Sequence, residues 1–270
     1  MRGASRASMA EAKEHIEAFL TDGEADEQLG TELLQVVTAL GTSSSLRRAL
    51  TDSARSADDR AALASSLFGS KLAGPTSEVV TGLVMSRWSK PSDLTEAVET
   101  LGVTALAASA QSRLRLDGVE DDVFRFGRVL HGNHGLQRAL SNPDAPAESK
   151  NRLVATLVGD KVAPEALTLI TQAAVHPRAT NTVGALDDYA EILAARRDRD
   201  VAYVTAATPM SESQASRLGE ALSKVYGRSL VLNIQIDPDL VGGIKIQVGD
   251  EMLDGSVATR IEDLRRRLAG

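Results

Sequence analysis

The chain has 270 residues, 43% apolar and 25% charged, the proportions of a folded globular protein, and at roughly 150 residues per domain its length suggests about two domains. Thirty basic against 37 acidic residues leave a net charge of −7, which disfavours sequence-independent nucleic-acid binding, and the absence of cysteine excludes disulfide frameworks, thiolate metal sites and cysteine nucleophiles. Four histidines and 3% aromatic residues argue against a histidine-built metal centre and an aromatic-lined ligand pocket, and no run reaches the ~18 apolar residues of a membrane span. The segment 1–6 lacks the apolar core of a secretion signal, so a cytosolic chain is expected unless a partner carries it to a membrane.

In chain order, residues 1 to about 200 read as helix almost throughout. Leu29, Leu33, Leu34, Val36, Val37 and Leu40 form a stripe at helical spacing, with Gly41 as a stop. Ser56 with Asp59 marks a helix start; Ala62, Leu63, Ser66 and Leu67 are expected to share its face, and Gly69 to end it. Gly74 and Pro75 open a helix carrying Val79, Val80, Leu83 and Val84. Pro91 and Ser92 open a long one through Leu94, Val98, Leu101 and Leu106.

This half contains a repeat. Leu40–Leu50 aligns with Leu130–Leu140 at an offset of about 90 residues, and the register carries Leu63, Leu67, Gly69 and Lys71 onto Leu153, Leu157, Gly159 and Lys161. Pro75 is aligned with Pro164 after a one-residue slip, and Thr81 and Leu83 with Thr168 and Ile170. One helical unit built twice is expected, and the helix of 91–111 can serve as the last of one unit and the first of the next.

The pattern changes near residue 200. The charged run 196–200 suits a junction, and Val201–Ala206 reads as a strand. Ser211 and Gln214 form a capping box for a helix carrying Ala215, Leu218, Leu222 and Val225. A second strand alternates Leu230, Leu232, Ile234 and Ile236 with polar positions, and a third alternates Ile244, Ile246 and Val248 with Lys245 and Gln247. A last helix is expected from Ser256, with Val257, Ile261, Leu264 and Leu268 on one face. The result is a small α+β module.

Residues that could carry chemistry do not assemble into a motif. Asp237, Asp239, Asp250, Glu251 and Asp254 cluster, but without the loop length and terminal Glu of an EF-hand, so turn-forming carboxylates are expected. Gly242 and Gly243 beside Lys245 precede a strand, whereas a phosphate-binding loop precedes a helix. His131 and His134 flank Gly132 and Asn133, a loop pattern; His15 and His176 stand alone. No nucleophile elbow occurs. What remains is amphipathic helix: either a groove between neighbouring helices accepts a partner helix, or every apolar face is consumed internally.

The segment 236–257 carries Asp237-Pro238, Gly242-Gly243, an alternating strand, Gly249-Asp250 and Asp254 before Ser256. It resembles the signature of the δ subunit family of F-type ATP synthases, which includes the oligomycin-sensitivity-conferring protein. Val204–Ser211, with Pro209, and Leu136, Ala139, Leu140, Asn142, Pro143, Lys150 and Leu153 resemble the family's strand-to-helix lead and helical segment. The resemblance covers about 113–270, and the extra N-terminal unit resembles the duplicated domain of actinobacterial relatives.

The resemblance implies a non-catalytic stator subunit at the cytoplasmic face of the membrane. It has no cofactor, metal, small-molecule ligand or nucleic-acid partner and no insertion into the bilayer. The expected organisation is mostly α: a first helical unit over 1–112, a second over 113–200 of the type that binds the N-terminal segment of an α subunit, and an α+β module over 201–270 that binds b-type peripheral-stalk subunits. The second unit is the favoured attachment, because it keeps Asn142-Pro143 and precedes the module. Candidate α-binding residues are Phe124, Leu130, Leu153, Leu157 and Leu167; candidate stalk-binding residues are Arg260, Leu264, Arg265 and Leu268. Asp237, Pro238, Gly242, Gly243, Gly249, Asp250 and Asp254 are the structural turn motif. The alternatives are a helical scaffold unrelated to ATP synthase and an enzyme using Gly242, Gly243 and Lys245 on a phosphorylated ligand.

Overall fold

Apolar residues at helical spacing, separated by short turns with capping side chains, produce a run of packed helices. The computed structural model describes residues 1, 3–20, 23–177, 181–198, 201–226, 230–237, 240, 242–249 and 251–254. Among them are helices α1 (Ala4–Glu17), α2 (Gly23–Thr42), α3 (Ser44–Thr51), α4 (Ala57–Phe68), α5 (Gly74–Met85) and α6 (Pro91–Ser112). They continue with α7 (Leu116–Gly132), α8 (His134–Ser141), α9 (Ala147–Val158), α10 (Pro164–Val175) and α11 (Thr182–Asp198). The C-terminal elements are β1 (Val201–Ala206), α12 (Glu212–Tyr226), β2 (Val231–Ile236), β3 (Ile244–Val248) and β4 (Glu251–Asp254). Contacts divide the chain into Met1–Ala194 and Ala195–Gly270. The boundary expected at 112/113 coincides with the end of α6, inside the first of these.

The repeat is reproduced in several of its caps, though Ser56, which caps α4, is matched before α9 by Pro146, which has no capping side chain. Ser43 accepts from the Leu46 N–H at 3.2 Å and Asn133 from the Leu136 N–H at 3.0 Å, starting α3 and α8. Asp52 and Asn142 each accept, at 2.9 Å, from the N–H two residues on. Glu32 accepts from the Ala73 N–H at 2.9 Å and Asp122 from the Ala163 N–H at 3.3 Å, each carboxylate capping the helix that follows. Gly69 and Gly159 end α4 and α9, where a Cβ would meet the carbonyl oxygen of Ser65 or Ala155 at 2.6 and 2.5 Å.

Two sequence expectations change. α5 and α10 begin after Ala73 and Ala163, so the offset passes through their prolines without a slip: Gly74 matches Pro164, Val80 matches Ile170, and Leu83 matches Ala173 rather than Ile170. The prolines simply occupy different positions of the first turn, where a missing N–H costs nothing. In α4 the buried face is Arg60, Ala64 and Phe68; Ala62, Ser66 and Leu67 are exposed and Leu63 only partly buried. Arg60 reverses the expected face because its buried guanidinium has carbonyl partners.

One hydrophobic core runs through both repeats, from Met9 to Leu193. α6 is its axis, packing on α1, α2 and α5 of the first repeat and on α7 and α10 of the second. Its buried side chains are mostly small: Ala97, Ala105, Ala107, Ala108 and Ala110 among the leucines. At the crossing of α2 and α6, a Cβ on Gly30 would lie 2.9 Å from the Gly102 carbonyl oxygen. Small residues let two helix backbones approach this closely.

The C-terminal unit is a four-stranded sheet in the order β2-β1-β3-β4. β1 pairs parallel to β2 and antiparallel to β3, and β3 pairs antiparallel to β4. A parallel pair needs a crossover, which α12 supplies. The capping box forms as expected: Ser211 N–H donates to Gln214 at 2.8 Å and Gln214 N–H to Ser211 Oγ at 3.3 Å. Ala202, Val204, Leu222, Leu230, Ile246 and Val248 form this unit's own core. β4 was not expected. Glu251 and Asp254 are strand residues, with Asp254 opposite Lys245, rather than turn carboxylates. Gly242, Gly243 and Gly249 have φ of 142°, 85° and 57°, the left-handed region that favours glycine, and Asp237 follows β2 with its N–H on the Ala206 carbonyl at 3.0 Å. Pro238, Asp239, Asp250 and the helix expected from Ser256 lie outside the described residues.

Candidate functional site

The expected partner-binding residues of the second repeat fall into three environments. Leu130 is fully buried in the core and presents nothing to a partner. Leu153 and Leu157, one turn apart on α9, and Leu167 on α10 are half-buried and pack against that core. Only Phe124 is largely exposed, at 54%, on α7, with the Arg128 guanidinium 6.0 Å from its ring centroid. A cation over an exposed ring contributes about 0.5–1 kcal/mol and keeps the ring presentable at a surface. Arg260, Leu264, Arg265 and Leu268 lie outside the described residues.

The first repeat holds a feature that the sequence reasoning missed. Between α1 and α5 a groove of about 190 Å³ is lined by Ala12, His15, Val79, Gly82 and Leu83, with Leu101 of α6 at its floor. His15, an exposed residue of α1, stands edge-on to Phe19 with ring centroids 5.2 Å apart. The available signal was Gly82, a mid-helix glycine where the second repeat has Gln172.

The buried polar groups of the helical unit are structural. Arg60, 6% exposed, donates to five carbonyls: Nε to Val84 at 2.7 Å, Nη1 to Asp52 at 3.2 Å and Arg55 at 3.0 Å, Nη2 to Met85 at 2.7 Å and Ser86 at 3.3 Å. It thereby caps the C-terminus of α5 and ties α3 to α4. At the matching position of the second repeat stands Lys150, whose ammonium burial pushes below its ordinary pKa. His176, at the end of α10, is also held below its ordinary value, by burial first and by the Lys150 charge second. Glu165, fully buried in the first turn of α10, accepts from Arg115 at 2.8 Å, Arg113 at 3.2 Å and Ser109 at 3.4 Å, and Arg113 also pairs with Glu27 of α2. Tyr189 donates to the buried Glu99, joining α11 to α6. Each group serves a helix end or a helix contact, and none stands beside a nucleophile in an open cleft.

The C-terminal unit has a cleft of about 580 Å³ lined by Pro209, Met210, Gly242, Gly243, Ile246 and Leu253. Lys245 alternates with Ile244 and Ile246 along β3 and so lies on the opposite face of the sheet. The glycines and the lysine of the phosphate-binding alternative therefore do not converge. Among the described residues, no three His, Asp or Glu side chains come together as metal ligands, and no helix is long and apolar enough to cross a membrane.

The profile of the ATP synthase delta (OSCP) subunit family matches residues 103–268, starting within α6, so the first repeat lies outside it. Full-length relatives include the first repeat. ATP synthase subunit delta of Beutenbergia cavernae is 46% identical with all of both chains covered, and that of Streptomyces avermitilis is 44% identical over 99% of this chain and 98% of its own. The Thermobifida fusca protein of the same name is 43% identical with both chains fully covered. A chain of the Toxoplasma gondii mitochondrial ATP synthase hexamer superposes with a TM-score of 0.34 at 19% identity, covering 62% of this chain and 95% of that one, too loosely to bear on the fold. With the signature in the C-terminal module and end-to-end identity above 40%, this chain belongs to the ATP synthase delta (OSCP) subunit family.

Proposed function

We propose that this chain is a non-catalytic stator subunit of an F-type ATP synthase. Its helical unit takes the N-terminal segment of an α subunit of the catalytic head, and its C-terminal module takes the b-type peripheral stalk. The chain thus sits peripherally at the cytoplasmic face of the membrane, held there by its partners. It prevents the head from turning with the rotor, so that proton-driven rotation is spent on ATP synthesis. The observation that carries this reading is the end-to-end match to proteins named ATP synthase subunit delta, one of them 46% identical. The fold supports it physically. A static link needs a packed scaffold and surfaces for partner helices, and the helical unit offers a continuous core, a shallow groove between two helices and an exposed aromatic.

The test is reconstitution. Membrane vesicles carrying the synthase are stripped of this chain and it is then added back. Proton-driven ATP synthesis is expected to fall on stripping and to return on addition, while ATP hydrolysis by the isolated head is unchanged throughout. Synthesis that survives complete removal, or hydrolysis by the isolated head that requires the chain, refutes the reading.

A further inference from the structure

We propose that the first repeat carries a binding site for a phosphorylated small molecule of the nucleoside diphosphate class, at the end of the helical unit where α1 begins, α3 turns into α4 and α5 stops. A cavity of about 480 Å³ opens there. Its wall is built from Arg55 and Ser56 of the α3–α4 turn, Arg60 of α4, and Met85, Arg87 and Trp88 at the end of α5. Small-molecule sites span about 300–1,000 Å³, so the space suits a nucleotide-sized ligand rather than a bare ion.

The charge of the wall is the opposite of the chain's. The protein carries −7, yet three arginines and no carboxylate line this cavity. The nearby acids are engaged or exposed. Asp52 accepts from the Ala54 N–H at 2.9 Å and lies 3.8 Å from Arg55 Nε; Asp93 accepts from Ser5 at 2.7 Å; Asp58 and Asp59 are exposed in the first turn of α4. Arg60 spends its N–H groups on carbonyls, among them those of Val84, Met85 and Ser86. It thus contributes charge and removes the free carbonyls that would repel an anion at the end of α5. Arg55 has only its 3.8 Å contact to Asp52, and Arg87 has no ion pair among the described residues. Both are exposed, and a guanidinium presents paired N–H groups that match phosphate oxygens. α1 starts beside them at Ala4 with no side-chain cap, so its first N–H groups add partial positive charge. Trp88 supplies the apolar part. Its Nε1 donates to the Leu83 carbonyl at 2.7 Å, which fixes the indole at the wall, and Met85 next to it is 41% exposed. An aromatic ring and a thioether suit the flat face of a base, and two free guanidinium groups suit a diphosphate.

The second repeat separates what the fold needs from what the site needs. Arg60 corresponds to Lys150, so the buried cation is kept in both copies. Arg55, Ser56 and Arg87 correspond to Ala145, Pro146 and Pro177, none of which has a side-chain donor. The exposed cations, which hold no helix end, are present only where the cavity is. The family resemblance implies no small-molecule ligand, and this wall supports one.

Trp88 is the chain's single tryptophan, so its emission reports on this cavity. Equilibrium dialysis of the full chain against labelled ADP gives affinity and stoichiometry, the Trp88 emission gives the place, and sulfate at matched ionic strength is the control anion. Wild type is compared with Arg55→Gln, Arg87→Gln and Arg125→Gln, the last altering an exposed arginine of α7. Melts without ligand are expected to match in all four. One ADP per chain is expected, with a saturable change in Trp88 emission that sulfate does not produce. Affinity should weaken at least tenfold in Arg55→Gln and in Arg87→Gln and stay unchanged in Arg125→Gln. No binding of ADP at millimolar concentration, binding that leaves Trp88 emission unchanged, an equal response to sulfate, or wild-type affinity in either Arg55→Gln or Arg87→Gln overturns the proposal. The stator reading stands or falls by the reconstitution and not by these outcomes.

Discussion

Gly30→Ala and Gly82→Ala make the same chemical change in the middle of two helices and are expected to act in opposite directions. Alanine improves the helix by about 1 kcal/mol at either site. At Gly30 the new methyl group would stand 2.7 Å from Leu106 Cγ, 2.9 Å from the Gly102 carbonyl oxygen and 3.0 Å from the Leu106 nitrogen. Ordinary carbon contacts lie at about 3.5–4.0 Å. Two of these three neighbours are backbone atoms of α6, which cannot rotate away, so the helices must part along the central crossing of the core. Overpacking of this kind costs about 1–3 kcal/mol, more than the helix gain when backbone must move, and a net loss of about 1–2 kcal/mol follows. At Gly82 the Cβ position is open, so the helix gain of about 1 kcal/mol is kept. The two variants should differ by about 2–3 kcal/mol, several degrees in Tm for a unit of this size. Urea unfolding followed by the helical circular-dichroism signal measures both. If Gly30→Ala is as stable as wild type, the α2–α6 crossing is not close; if Gly82→Ala is destabilised, the space beside Gly82 is not open.

Removal of Arg60 should be among the costliest single changes in the first repeat. Arg60→Ala leaves five carbonyls without their donor and should lose about 3–5 kcal/mol in urea unfolding, and Arg60→Lys should recover only part of it, because one ammonium cannot serve a fork of five acceptors. Glu32→Gln tests a cap and a titration together. Burial alone would raise the Glu32 carboxyl, but hydrogen bonds from Gln28 and the Ala73 N–H, with the Thr76 hydroxyl nearby, outweigh it and hold the group below its ordinary value. Its contribution is therefore complete above pH ~4.5 and lost as pH falls through the folded value, so the variant's stability should fall less than wild type's on acidification from pH 5, with about 1 kcal/mol less at neutral pH. His176 works in the opposite chemical sense to the same pH sign. Burial and Lys150 disfavour its imidazolium, so the unfolded chain binds more protons below pH 6.5, and stability falls as pH drops from 6.5 through the folded value. His176→Gln should flatten the melting temperature between pH 7 and 5; an unchanged slope would refute the assignment.

Much of the scaffold was legible in the residues. The stripe from Leu29 to Leu40 is buried at all six positions, Ser56 caps α4, and Ser211 and Gln214 form their reciprocal pair. These features are local: each needs only its own helix turn or strand pair. β4 was missed because a four-residue strand with carboxylates at both ends has no periodicity to read, and its existence depends on pairing with β3. The buried face of α4 was misplaced for a related reason. A hydrophobicity pattern counts arginine as outward, and Arg60 turns inward because α5 ends against it with free carbonyls. Leu130 and Phe124 show the same limit for the site. Both look like apolar positions of one helix, yet Leu130 is wholly buried and Phe124 is 54% exposed.

The groove was the least legible element, because a repeat in sequence predicts equal surfaces and the fold makes them unequal. Two copies placed end to end as separate bundles would each bury their own helices and present the same faces. Here they share α6, which closes the first repeat and opens the second. A helix in that position must bury nearly its whole circumference, and it does so with alanine, glycine and leucine where α1, its counterpart one period earlier, carries Glu11 and His15. The difference between the copies is thus written in the residues facing across the period, Gly102 against Ala12 and Gln172 against Gly82, and not in the stripes that reveal the repeat. Sharing a helix joins the two repeats in one core while leaving, among the described residues, the surface at Gly82 open and the matching one at Gln172 buried.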